Sequence, residues 1–362
     1  MITPIATLMC ANRDPDHLVA RDASRQWRWG VFSNDVAQLA ATLQRRPERR
    51  WLWANDCSYQ FAVGLLALLH SGKTIVLPPN AQSGTLATWA SQCDATLDAT
   101  LLTSGNSGHA VDPRCFASLD THTACIELAT SGSTGAAKIV AKTLGNIDSE
   151  LASHQQLGFI PAHCDLLFST VSHQHIYGLL FRTLMPLARG IPYWSSSHAY
   201  PEHVFADIAH YSQHAALISS PAHLNRLPPA LDLGHYATHL DCVFSSGGPL
   251  SADAAQQLGN QLGHYPIEIL GSTETGGIAW RQQRDSHSRW RALPGVETRS
   301  DNDQQLLEVR SPFFTSEQTS GRHDWYLMGD VVALERDGFE LKGRADRIVK
   351  VEGKRLSLEQ ME

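Results

Sequence analysis

The sequence contains no apolar run long enough to cross a bilayer. Its longest, FAVGLLALLHSG, falls well short of the roughly 20 residues that a spanning helix needs. The amino terminus lacks the charged-then-apolar order of a secretion signal, and the two absences together make a cytoplasmic protein the expectation. No Cys-x-x-Cys pair occurs. Cys10, Cys57, Cys93, Cys115, Cys125, Cys164 and Cys242 form an odd, scattered set, which speaks for reduced thiols rather than a disulfide framework or a zinc site. Positive charge is not in excess; a formal net charge of −7 provides no broad basic field for nucleic acid. Internal repeats and low-complexity tracts are also missing. So are a G-x-S-x-G elbow and a G-x-G-x-x-G after the first strand, which argues against a hydrolase or a dehydrogenase on a doubly wound sheet.

What is present is ordinary for a globular chain: 362 residues, 43% hydrophobic and 18% charged, enough for a large core and more than one subdomain. Apolar spacing predicts a helix over NDVAQLAATLQRR, a strand at RWLWAND, a helix over SYQFAVGLLALLHSG and a strand at KTIVLPP. Strand, helix, strand in close succession is the pattern of a parallel α/β unit, and it recurs at HVFADIAHYSQHAALISSPAHLNRL and LDCVFSSGGPLSADAAQQLGNQL. Later the pattern becomes strand-rich, in QQLLEVRSPFF and WYLMGDVVALERDGFELKGR, predicting a β-rich subdomain. A charged, exposed segment is expected from Lys342 onward.

The stretch LATSGSTGAAKIVAKT places Thr130, Ser131, Gly132, Ser133, Thr134 and Gly135 in front of a lone cation, Lys138. It is not a Walker A loop. Ala137 stands where the second glycine belongs, and Ile139 follows the lysine where a metal-binding hydroxyl is needed. KIVAKT reads as a strand rather than a helix, so with CIELAT before it the segment is strand, loop, strand. Such a loop can cradle phosphate with backbone N–H groups, hydroxyls and the ammonium. The same composition serves a solvated turn, and the stretch alone leaves both readings open.

Three later stretches bear on that choice. ILGSTETGG carries Glu274 in a second small-residue loop, WYLMGDVV ends a strand on Asp330, and LKGRADRIVKVEGKRLSLEQME sets Arg344, Asp346, Lys350 and Arg355 around glycines. With TSGSTGAAK, in this order, they resemble the adenylate-forming superfamily: acyl- and aryl-CoA synthetases, luciferases and the adenylation domains of peptide synthetases. The resemblance covers nearly the whole chain and is strongest from 128 to 362. It implies a layered α/β amino-terminal domain (1–345) with a β-rich subdomain, then a hinge and the start of a small carboxy-terminal domain (346–362). It implies ATP and Mg²⁺. The loop Thr130–Lys138 would hold the β- and γ-phosphates. Thr273 would bond the α-phosphate, Glu274 would ligate Mg²⁺, and Leu270, Gly271 and Ser272 would complete that nucleotide-binding turn. Asp330 would accept both ribose hydroxyls, Arg344 would reach the same sugar, and Asp346 would be the hinge. FSTVSHQHIYGL resembles the family's aromatic–His–x–x–Gly segment, which would put His175 beside the carboxylate pocket with Tyr177 and Gly178 on its wall. SSGGPL would place Gly247, Gly248 and Pro249 against adenine and the acyl tunnel.

The residue types suit that chemistry on their own terms. Attack of a carboxylate on an α-phosphate brings anions together, so metal and donors must offset charge. A carboxylate is a hard ligand for Mg²⁺, and one carboxylate can take two O–H donors from a ribose. His173 is read as a bystander to His175. Arg281, Arg284, Arg289 and Arg291 form a basic cluster, read either as a solvated face or as a docking patch for an acidic carrier protein. Three positions depart from the family pattern: Ala137 for proline, Leu270 for an aromatic, Met328 for threonine. The family's catalytic lysine has no match among Lys342, Lys350 and Lys354, so the chain is expected to be the large domain of a longer ligase, impaired by itself. The segment SHQHIYGLLFRTLMPL is similar to ligases of aryl-polyene and xanthomonadin-type pathways, which implies a hydroxybenzoate-like acid passed to an acyl carrier protein. A fatty or 3-hydroxy acid with coenzyme A, and a non-catalytic nucleotide-binding module, are the alternatives.

Overall fold

A computed structural model of the chain describes residues 2–104, 116–123, 125–130, 138–198, 200–228, 230–301, 305–315, 324–345, 348–351 and 354–357. Three sheets organise it. The five-stranded sheet runs in the order Ala95–Thr96, Arg50–Leu52, Thr74–Leu77, Cys125–Thr130, Lys138–Thr143. Its first four strands are parallel, and the helix Ser58–His70 makes the crossover between the second and third. That helix is apolar on nearly every side, because it lies inside the main core rather than on a surface. The last pair is an antiparallel hairpin from Cys125↔Thr143 to Thr130↔Lys138, as the strand–loop–strand reading predicts.

The nine-stranded sheet has a parallel centre: Ile267–Ser272, Leu240–Ser246, Ala215–Ser219, Leu166–Ser169 and Tyr193–Trp194, in spatial order. Its strands are continuous apolar runs such as AALIS, buried at every position, as a sheet covered on both faces requires. Ile267–Ser272 then turns back antiparallel into Gly276–Arg281. The four-stranded sheet, Glu297–Ser300, Leu306–Arg310, Tyr326–Glu335 and Gly338–Arg344, is wholly antiparallel and confirms the β-rich subdomain.

One expectation is corrected here. Asp330 does not end a strand; it sits inside Tyr326–Glu335, where the register partner Arg344 continues the ladder. From Lys342 to Ala345 the chain is exposed, as expected, and Ile348–Val351 and Lys354–Ser357 pair as a hairpin. Met328, where the family has threonine, is buried between this sheet and the end of the larger one, packed with Leu307, Val309 and Phe339. Its methylenes stabilise that core, so the departure is a packing choice.

Candidate active site

The carboxyl ends of the parallel strands open onto one cavity of about 710 Å³, the place where open α/β sheets put their ligands. Thr170–Ser172 follow one strand, Ser220–Ala222 the next, and Gly247, Gly248 and Pro249 the third; all line the cavity. Gly271, Ser272 and Thr273 complete that row at the end of Ile267–Ser272. Alternation explains why Leu270 does not join them. Ile269 and Gly271 face the cavity, so Leu270 faces the opposite side and packs against the core of the small sheet. Leu270, expected to complete the nucleotide-binding turn, does not line this cavity.

Two hairpins from different sheets meet at this cavity. Thr130 lines it from the five-stranded sheet, and its hydroxyl donates to the Lys138 carbonyl at 3.2 Å. The Lys138 ammonium stands 3.7 Å from Glu274 Oε1. The turn holding Glu274 is tied by Ser272 and Thr275, whose hydroxyls lie 3.1 Å apart. Beneath it a second lysine, Lys142, donates to the Glu274 carbonyl at 2.7 Å and to the Phe313 carbonyl at 2.8 Å. Lys138 and Lys142 are four residues apart on one strand and so point the same way, one ammonium at the side chain of Glu274 and the other at its main chain. Burial holds Lys142 down to about 8 from the ordinary 10.5, against the pull of Glu150 and Glu274. Between these values the unfolded chain binds the proton that the folded chain has released. Stability is therefore expected to rise with pH through the window from about 8 to 10.5 in the wild type, and this increment should vanish in Lys142→Met. Urea melts of both proteins across that window test it; parallel pH profiles would contradict the placement.

The segment from Ser169 to Gly178 forms the facing wall. Arg182, 1% exposed, donates to the Val171 carbonyl at 2.7 Å and pins it from the π-helical stretch Leu179–Leu184. His173 is buried between Ser58 and the Asn55 carbonyl, and burial with nearby Arg182 drives its imidazole down to about 3. It is therefore neutral and structural, as read. His175 is exposed and lines the cavity, together with Tyr177 and Gly178. Gly178 has no alternative: a Cβ there would stand 2.0 Å from the Ser172 carbonyl oxygen.

Asp330 and Arg344 are brought together, 3.5 Å apart on adjacent strands, but neither is part of the cavity wall. Ser131, Gly132, Ser133, Thr134, Gly135, Ala137 and Asp346 lie outside the described residues. The sequence reading missed Lys142, Glu150 and His154. Helix Leu144–Leu157 begins at a capping box between Thr143 and Asn146, which sets Glu150 and His154 one turn apart on the same face. Glu150 lines the cavity and accepts from the Gly277 N–H at 2.6 Å, with His154 Nε2 3.8 Å away. No local signal marks Lys142 or Glu150, because the partners of Lys142 are 132 and 171 positions away and that of Glu150 is 127 away.

The AMP-binding enzyme family matches residues 94–309, more than half of the chain. The chain belongs to that family. The motifs and the fold are those of adenylate-forming enzymes, with the layers of their amino-terminal domain. This AMP-binding enzyme is similar to the 4-coumarate–CoA ligase of Cereibacter sphaeroides, 29% identical over 232 residues. The match takes in 63% of this chain and 50% of that protein, so the chain spans about half the length of this curated relative. Among solved structures, ATP-bound MatB from Rhodopseudomonas palustris has a TM-score of 0.79 at 19% identity, over 100% of this chain and 82% of that one. Amide bond synthetase McbA from Marinactinospora thermotolerans gives 0.78 at 18%, over 99% and 83%. Both likenesses are of fold. No helix among the described residues is long and apolar enough to cross a membrane.

Proposed function

We propose that this AMP-binding enzyme activates a carboxylic acid with ATP, forming an acyl-adenylate and pyrophosphate for transfer to a thiol. The observation that supports this most is the 3.7 Å approach of Lys138 to Glu274, each next to a hydroxyl, Thr130 by strand pairing and Thr273 in sequence, that lines the cavity. A cation, two hydroxyls and a carboxylate stand where negative charge must be redistributed. The residues suit Mg²⁺ as the partner of ATP, since Glu274 offers hard carboxylate oxygens beside the cavity. When bound, such an ion neutralises charge on the departing pyrophosphate. We assign His175 to the acid's carboxylate and Asp330 with Arg344 to the ribose.

Tyr177, Leu180, Phe181 and Ile269 give the cavity apolar and aromatic walls, and its volume suits an aromatic acid beside a nucleotide. Glu150 is an acceptor set among those walls, which favours an acid bearing an O–H donor, such as a hydroxybenzoate or a hydroxycinnamate. The name of the curated relative, a 4-coumarate–CoA ligase, points the same way and favours coenzyme A as acceptor. The carrier-protein reading has less support. Arg281 is paired with Glu268 at 2.9 Å, Arg289 with Glu335 at 3.0 Å, and Arg291 stacks over Trp280. Pyrophosphate release measured over a panel of acids tests the proposal. Hydroxylated aromatic acids should turn over fastest, and a preference for long aliphatic acids would overturn the aromatic assignment.

Two substitutions refine it. A Cβ at Gly248 meets only Pro221 Cγ, at 3.9 Å, so the fold tolerates Gly248→Leu while the new side chain fills the cavity. That variant should lower kcat/KM for the best acid at least about 10-fold with AMP affinity unchanged. Retained turnover would move the acid elsewhere. Asp330→Ala should weaken ATP binding by about 1.5–3 kcal/mol, the scale of a charge-assisted hydrogen bond. Calorimetry showing unchanged affinity would remove Asp330 from the ribose site.

A further inference from the structure

The parallel strands have a second end. On the face opposite the cavity, their amino-terminal ends carry His163, just before Leu166–Ser169, His214, just before Ala215–Ser219, and Asp241, near the start of Leu240–Ser246. Asp241 is five residues from Ser246 on the cavity side, so the two ends are separated by about 16 Å of extended chain.

One donor atom from each of these residues falls within 4.8 Å of the others. His163 Nε2 lies 3.0 Å from Asp241 Oδ2, and His214 Nδ1 lies 3.4 Å from the same oxygen. Metal–ligand bonds of about 2.0–2.2 Å in a tetrahedron separate ligand atoms by roughly 3.4 Å, so the two imidazole–carboxylate spacings are of coordination size; His214 Nδ1 also lies 3.5 Å from Asp241 Oδ1. Alignment points the same way. Asp241 Oδ2 is buried and accepts no well-formed hydrogen bond, although the His163 nitrogen is so near. The two atoms approach without aiming at each other, as ligands converging on a shared cation do.

The loops bearing the donors are held. The Asp165 carboxylate accepts from the Ser212 hydroxyl and from the Gln213 N–H at 2.9 Å, and the Asp165 N–H donates to the His214 carbonyl at 3.0 Å. Cys164 and Cys242, next in sequence to two of the donors, are buried in the core, so the outward-facing set is two imidazoles and one carboxylate. Both histidine side chains are about half exposed or more, at 61% and 48%, leaving room for entry and for water at a fourth position. Imidazole donors select borderline transition metals rather than Mg²⁺.

We propose that His163, His214 and Asp241 form a site for a divalent transition metal, with Zn²⁺ as the fitting ion, that clamps the starts of three neighbouring strands. It is separate from the nucleotide cavity and independent of the reaction assigned there. Titration calorimetry of the full chain with ZnCl₂ should show one equivalent bound, with no corresponding uptake of Mg²⁺. His214→Ala and Asp241→Asn should each weaken binding at least about 10-fold. His235→Ala, at an exposed histidine outside the cluster, should leave it unchanged. Co²⁺ in place of Zn²⁺ should give the intense visible band of four-coordinate metal, lost in His214→Ala. Saturating Zn²⁺ should raise the wild-type Tm by about 2–5 °C, with no rise in Asp241→Asn. Absence of uptake, or uptake equal in wild type and both ligand variants, would overturn the proposal.

Discussion

Glu274→Ala is expected to lower acid-dependent ATP–pyrophosphate exchange by about 10²–10³-fold while changing nucleotide affinity far less. The separation follows from how the turn is built. Lys142 grips Glu274 by its main-chain carbonyl, and Ser272 and Thr275 close the turn through their own hydroxyls. Removing the carboxylate therefore leaves these main-chain and hydroxyl ties in place and removes the hard oxygen donor and the partner of Lys138. The ion pair itself matters little to stability, since Lys138 is well exposed. What is lost is charge compensation as pyrophosphate leaves. Equal losses in ATP affinity and in exchange rate would show that Glu274 is a binding group only, and an unchanged rate would remove it from the site.

The second large effect is expected from a single methyl group. Gly178→Ala places a Cβ 2.0 Å from the Ser172 carbonyl oxygen and 2.7 Å from its carbon, both main-chain atoms that cannot swing away. The turn from Ser172 to Gly178 must open, carrying His175 and Tyr177 off the cavity wall. A loss of about 1–3 kcal/mol in stability is the usual scale for such overpacking. Displacing a positioning segment by about 1 Å can cost about 10²-fold in rate, so acid turnover should fall at least that far. AMP binding should fall less, because Thr130 comes from the strand Cys125–Thr130 and Thr273 from the turn after Ile267–Ser272. Gly84→Ala, in the helix Ser83–Ala90, is the control: a Cβ there meets nothing, and the helix should tolerate it or gain stability. A Gly178→Ala protein with normal stability and acid KM would show that the wall is not built as described.

Much of this site was legible in the sequence because its groups sit on short local motifs. Thr273 and Glu274 were visible as part of GSTE, and Thr130 and Lys138 as the flanks of a small-residue loop. Their meeting was not legible, since it depends on two sheets bringing residues 138 and 274 within 3.7 Å. Leu270 shows the opposite failure. It belongs to the motif by position, whereas strand alternation turns its side chain away from the cavity and onto the small-sheet core. Asp330 was read as a strand end, yet ladder pairing with Gly338–Arg344 carries the strand past it. Lys142, Glu150 and His154 stayed hidden because burial of a charged group is set by partners distant in sequence, and no local pattern marks it. The strands and crossover helices were the easiest part, since apolar runs bounded by turns leave little choice in a sheet covered on both sides.

The account rests on one cavity holding a nucleotide and an acid end to end. The most direct measurement is the affinity of a non-hydrolysable hydroxyaryl-adenylate analogue for the chain, compared with AMP alone. If the acid pocket and the nucleotide cradle are one continuous site, linking the two ligands should tighten binding by about 10²-fold or more over AMP. Binding no tighter than AMP would mean that the cavity does not hold the two together, and the proposed reaction would lose its site.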